Sequence, residues 1–219
     1  MKNKMLLFLF LKMAFIASCQ PSDIGNWFVY FGNQKLKNGW ILHHEFQYRN
    51  YNFVGDLQQL VIRTGIGYNL SESNNNLLVG YAYFHSSNYL NDSDDKKASN
   101  EHRIFQQFIT RQNFGRIFIQ HRYRFEQRML EPDFRLRFRY FLGINIPLNK
   151  KILEKKALYA SLYNEIFLNT KSPIFDRNRL YGALGYVFGK NIRLEAGYMA
   201  QSLESSNRNQ CQIILLNNF

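Results

Sequence analysis

The sequence predicts an all-β fold: an antiparallel up-and-down transmembrane β-barrel of ten strands, with twelve as the other count. Three observations predict it. Residues 116–147 form two long arms that alternate residue by residue, the period of a strand with two unlike faces. The same alternation recurs in segment after segment from Trp40 onward. The chain closes on Phe219 after Ile213, Ile214, Leu215 and Leu216, an ending that resembles the carboxy-terminal signal of outer-membrane barrels.

The arms at 116–147 are the clearest part. In the first, Arg122, Arg124, Glu126 and Arg128 share one face and Ile117, Ile119, Tyr123 and Phe125 the other. In the second, Arg135, Arg137 and Arg139 oppose Phe134, Leu136, Phe138, Tyr140, Leu142, Ile144 and Ile146. Strands of soluble sandwiches run about five or six residues. These arms exceed the roughly 9–11 residues that a tilted strand needs to cross a bilayer. A hairpin that is apolar on one side and charged on the other is what a membrane barrel requires, because in lipid every backbone group must be paired within a closed sheet.

The remaining elements follow in order. Residues 1–19 have a basic start (Lys2, Lys4), an apolar run and small residues before Cys19, the pattern of a secretory leader. Ile16-Ala17-Ser18-Cys19 also resembles a bacterial lipobox, which would leave Cys19 lipidated; the other reading is a plain leader cut beside an incidental cysteine. Residues 20–219 then form a single barrel domain. Residues 25–34 are aromatic and strand-like. They are either an additional strand, taking the count towards twelve, or a segment tucked into the lumen. From Trp40 the segments 40–48, 57–70, 77–87, 101–113, 116–128, 134–147, 157–169, 179–189, 192–203 and 209–219 read as ten strands. The turns at 70–76, 113–116, 147–157 and 189–191 alternate with loops at 50–56, 88–100, 129–133, 170–178 and 204–208. Both ends of this ten-strand unit therefore fall on the short-turn side.

Composition narrows the function classes. The formal charge is +12, and three of those cations, Lys2, Lys4 and Lys12, leave with the leader. A basic balance ordinarily raises nucleic acid as a partner, but an exported protein does not meet it. The expected partners are outer-membrane lipid and an anionic solute or lipid A phosphate, with the chain a monomer in the outer membrane of a Gram-negative bacterium. The mean hydropathy of -0.37 suits a barrel whose inward half is polar. No stretch after the leader approaches the roughly 20 apolar residues of a membrane helix. No cofactor is implied. No cluster has metal-ligand spacing, since His43 and His44 are adjacent and point to opposite faces of a strand.

A family resemblance rests on an ordered set of motifs. These are His121-Arg-Tyr-Arg-Phe-Glu-Gln-Arg128, Arg135-Leu-Arg-Phe-Arg139, Tyr163-Asn-Glu-Ile-Phe167, Asn178-Arg-Leu-Tyr-Gly-Ala-Leu-Gly-Tyr186 and Gly197-Tyr-Met199. Across roughly residues 23–219 the chain resembles the domain of unknown function 2490 family, uncharacterised secreted proteins common in Bacteroidetes. The resemblance implies an outer-membrane barrel and no established activity. A cysteine at the leader boundary departs from the simple leader such a family suggests.

The candidate site is the charged face, with Arg122, Arg124, Glu126, Arg128, Arg135, Arg137, Arg139, Glu165 and Arg179 directed into the lumen. Antiparallel pairing must set arginine against arginine. One register pairs Arg128 with Arg135, Glu126 with Arg137 and Arg124 with Arg139; a shift by two is the alternative. Like charges at cross-strand distance are destabilising unless compensated, and inward carboxylates are available at Glu45, Glu101, Glu126, Glu165 and Glu195. One reading is an ion-pair network that fills a narrow barrel. The other is a porin-like, anion-selective passage, since guanidinium forks suit carboxylate and phosphate. Catalysis is not expected. The alternative is a lipid hydrolase using His85 and Ser87, which stand two apart on one strand face near a rim, as in outer-membrane phospholipases and lipid A deacylases. A third reading is a soluble periplasmic barrel that binds an acidic ligand.

Overall fold

The computed structural model describes residues 24–71, 74–90, 93–131 and 133–219. The expected leader and its boundary residue Cys19 lie outside the described residues.

The described chain is one closed barrel of eleven strands: β1 (Gly25–Lys35), β2 (Trp40–Asn50), β3 (Leu57–Asn69), β4 (Asn75–Tyr89), β5 (Lys96–Phe114), β6 (Ile117–Leu130), β7 (Asp133–Pro147), β8 (Leu158–Asn169), β9 (Phe175–Val187), β10 (Ile192–Leu203) and β11 (Asn207–Asn218). Each strand pairs with its neighbours in sequence, always antiparallel, and β1 closes the barrel against β11.

The ten strands expected from Trp40 are β2–β11. The count is eleven, neither ten nor twelve, because residues 25–35 add one strand, joined to β2 by residues 36–39, which include the three-residue helical turn Lys37–Gly39. At that turn Asn38 and Gly39 both take left-handed backbone, with φ of 56° and 81°. Two-residue hairpin turns ask for this geometry, and Asn-Gly adopts it at little cost. An odd count has a topological consequence. In a meander the first and last of eleven strands run the same way, so the closing pair must be parallel, with Gly25 opposite Gln210 and Asn33 opposite Asn218. The seam is fastened at its far end, where Phe219 N–H donates to Asn33 O (3.0 Å) and Lys35 N–H to Phe219 O (2.7 Å). Trp40 and Phe219 lie at the short-turn end, but residue 24 lies at the opposite, long-loop end.

Side chains divide by face. Outward positions are apolar and exposed: Leu180 at 61%, Phe138 at 52% and Ile66 at 51%. Inward positions are buried and largely polar. Three apolar clusters interrupt that polar interior. Trp27, Val29, Tyr181, Met199 and Ile214 line the seam, Val61, Leu78, Ala82, Phe84 and Phe105 sit across β3–β5, and Ala157, Tyr159 and Val187 close the short-turn end at β8–β9. Close packing there needs small neighbours: a Cβ on Gly80 would stand 2.5 Å from Phe105 Cζ.

Candidate functional site

The lumen is built from the charged hairpin. β6 and β7 pair with Arg124 opposite Arg139, Glu126 opposite Arg137 and Arg128 opposite Arg135. This is the first of the two registers the sequence allowed. It follows from the two-residue connection between Leu130 and Asp133, which already pair with each other and leave neither strand room to slip by two.

Glu126 is the hub. Its Oε2 accepts from Arg137 Nε (3.0 Å) and Nη2 (2.6 Å), and its Oε1 from Arg139 Nη1 (2.6 Å). Arg103 Nη1 stands 3.5 Å away and Arg124 Nη1 3.8 Å. A second hub, Glu165 on β8, accepts from Arg139 Nη2 (2.7 Å) and Arg122 Nη2 (2.8 Å), with Arg179 Nη1 at 3.9 Å. Glu101 holds Arg103 and Arg128 in paired hydrogen bonds of 2.6–3.1 Å. Arg137 also reaches Asp176 Oδ2 at 2.7 Å. Glu45 pairs with Arg63 and accepts from Gln47.

Arginine opposite arginine is tolerated where a carboxylate lies between the two: Glu126 serves Arg124 and Arg139, and Glu101 serves Arg103 and Arg128, while Arg128 and Arg135 turn to different carboxylates. The guanidiniums are also stacked on inward aromatic rings. Phe167 lies under Arg139 (4.4 Å to the ring centre), Arg179 (4.7 Å) and Arg137 (5.2 Å), and Phe84 lies under Arg103 (3.5 Å). Phe105 faces Arg124 at 4.6 Å, and Trp27 lies between Arg49 (3.9 Å) and Arg179 (4.9 Å). Flat, weakly hydrated guanidinium suits both contacts at once.

The structure brings together Arg124, Glu126, Arg137, Arg139, Glu165 and Arg179, all buried. Arg122 and Arg128 flank them as partly buried partners of Glu165 and Glu101. Arg135 stands apart: at the mouth, beyond the network, it is exposed and paired with Asp133 at 2.5 Å. Arg49, Arg63, Arg103 and Gln107 join the network without having been singled out, though each falls on the inward parity of its strand; Asp176 joins from the outward parity of β9, at the ladder irregularity where Arg177 pairs with Phe167 and Phe175 with Leu168. The ring platforms had a weaker signal, since Phe84, Phe105 and Phe167 are apolar residues at positions where alternation asks for polar ones.

Little water-sized space remains around this layer, with Arg124 4%, Arg137 3% and Glu126 1% exposed. Positive charge is in surplus. Arg49 has glutamines, Gln47 and Gln59, as its hydrogen-bond acceptors, and Arg124 Nη1 is buried with no hydrogen-bond partner. Among the described residues no group of three or more His, Cys, Asp or Glu is placed to hold a metal ion. His85 and Ser87 lie outside this site, on the outward parity of β4, and Ser86 between them bonds inward to Gln59 at 2.7 Å.

No curated protein and no solved structure matches the chain. A family model described as "Protein of unknown function (DUF2490)" matches residues 24–212. That span takes in every strand of the barrel except the end of β11, together with both carboxylate hubs, so the chain belongs to the DUF2490 family of proteins of unknown function.

Proposed function

We propose that this protein is an integral barrel of the outer membrane of a Gram-negative bacterium, a monomer whose interior is a fixed ionic core. The observation that carries the reading is the inverted distribution of side chains. Charged groups that are almost never fully buried in soluble domains fill the inside, and large apolar side chains cover the outside of a sheet with no free edge. Such a wall is stable against hydrocarbon, where the closed ladder also leaves no backbone group unpaired. The strands run from 11 to 19 residues, enough to span. Outward rings such as Trp40 against Tyr68 (5.2 Å) suit an interfacial girdle. The buried guanidinium–carboxylate layer favours a structural role over an open channel.

Fractionation tests this. The folded protein should resist carbonate extraction and change gel mobility on boiling. A soluble protein without that shift would overturn the lipid-facing assignment and turn Phe134, Leu136 and Phe138 into the buried surface of a periplasmic binding protein. The cation surplus at Arg49 and Arg124 favours a second reading, slow anion passage. Planar bilayers separate the two: a sealed core gives no conductance above lipid background, whereas anion-selective steps that weaken in Arg124→Ala would establish passage.

A further inference from the structure

We propose that His85, Ser87 and Asn100 form a hydrolytic triad for lipid acyl esters on the outer wall of the barrel. The proposal rests on the lipid-facing reading of that wall for its substrate, but its chemistry stands on local geometry.

On β4, His85 and Ser87 share the outward face, about 7 Å apart along the strand. Across the ladder, His85 pairs with Asn100 and Ser87 with Ala98 on β5. Asn100 Oδ1 lies 2.9 Å from His85 Nδ1 and accepts a second hydrogen bond from Tyr83 Oη at 2.9 Å. An amide oxygen can only accept, so Nδ1 carries a proton, and in the neutral ring the lone pair is on Nε2. That is the tautomer a general base needs, held by a third group, as in triads on unrelated folds. Among the described residues Nε2 has no partner, and neither has the Ser87 hydroxyl; both are uncommitted on the same face. Ala98 beside Ser87 is small and leaves approach to the hydroxyl open.

The reaction follows in two balanced steps. Ser87 Oγ attacks the ester carbonyl while its proton passes to His85 Nε2. The carbon–oxygen bond to the leaving alcohol breaks, and the imidazolium returns the proton to that oxygen. Water then attacks the acyl-Ser87 carbonyl, giving its proton through Nε2 to Ser87 Oγ, and the fatty acid leaves. Asn100 and Tyr83 are positioning residues, since they act through the imidazole. The site opens sideways onto the wall, where an acyl ester at the membrane interface would lie, and needs no open lumen.

The test uses folded protein in detergent, verified by its heat-dependent mobility. A fluorophosphonate should label it at Ser87, and mixed micelles should release fatty acid. Phosphatidylcholine micelles and lipid A micelles distinguish the two sources of the ester. Ser87→Ala should abolish labelling and lower release by about 100-fold or more; Ser86→Ala, on the inward face, should leave both unchanged. Asn100→Ala should lose most of the activity. Asn100→Asp should restore it with the acid limb of the pH profile moved upward, since a carboxylate stabilises the imidazolium. A merely structural Asn100 would not move that limb. Neither labelling nor release from verified folded protein would overturn the triad and leave the membrane reading intact. Labelling of a protein that fractionates as soluble would keep the triad and remove the lipid substrate.

Discussion

The lumen has two unlike sectors. Across β5–β9 it is ionic: Glu126 and Glu165 each gather several guanidiniums, and aromatic rings support them. At the seam formed by β10, β11 and β1 it is mainly apolar and amide-lined, and its buried carboxylate, Glu195, accepts from Tyr159 Oη at 2.8 Å. There Trp27, Val29, Met199 and Ile214 pack together, and Gln210 is fully buried without hydrogen-bond partners for either side-chain atom. The ionic sector lies between antiparallel strands; the seam contains the single parallel pair, a geometry slightly less stable per residue. The contrast teaches that the barrel is held in two ways, by direction-specific charge pairing on one side and by shape on the other.

The largest expected effect lies in the ionic sector. Glu126→Gln keeps the shape of the hub and removes its charge, leaving Arg137 and Arg139 without their shared carboxylate. Removing one partner of a buried ion pair costs about 3–5 kcal/mol. The folded fraction, read from heat-dependent gel mobility across a urea series, should collapse at markedly lower urea than wild type. A small change would mean that the surplus cations are compensated by something other than Glu126, and the division into sectors would fail.

The seam should respond less sharply. Ile214→Val removes one methylene-sized group from the Trp27–Met199 cluster, and such deletions cost roughly 1 kcal/mol. The same urea series should show a modest shift. A loss as large as that of Glu126→Gln would make closure of the β1–β11 pair the weak point of the whole barrel.

The two sectors were also unequally legible. In β6 and β7 arginine alternates with phenylalanine and tyrosine, so the faces, the register and the inward carboxylates could be read from residues alone. Alternation fails in β1, where Trp27, Val29 and Phe31 are inward and Phe28 and Tyr30 outward, all apolar. With both faces alike, period-two patterning cannot tell a strand from a lumen segment, and the eleventh strand stayed undecided. The same loss hid the termini, because residue 24 moves to the long-loop end once β1 joins the sheet. Ring platforms such as Phe167 showed only as breaks in the alternation: stacking under a guanidinium depends on cross-lumen distance, which strand parity does not encode. Arg135 shares parity with Arg137 and Arg139, yet the network ends before it, because two residues from the start of β7 it is exposed and meets Asp133 instead of a buried carboxylate.

The smallest effect comes from an ion pair outside both sectors, and it calibrates what burial adds to charge. Asp56, in the loop between β2 and β3, receives a hydrogen bond from Tyr89 Oη at 2.8 Å and pairs with Lys96. Burial pushes its carboxyl up, but the bonds from Lys96 and Tyr89 and the Lys96 charge outweigh it, and the group ends below the usual aspartate range. A lowered folded value means that the pair contributes stability above the ordinary carboxylate range of about pH 4 and loses it as pH falls through the folded value. Being solvent-screened, it should contribute little. The protection of amides over residues 51–56, taken as the exchange rate relative to its intrinsic value at each pH, should therefore fall below about pH 4, and Asp56→Asn should already show low protection at neutral pH with no further change on acidification, while the urea midpoint of the barrel barely moves. A drop in that midpoint comparable to Glu126→Gln would show that exposed pairs at the mouth, and not the buried hubs, carry the electrostatic stability of this fold.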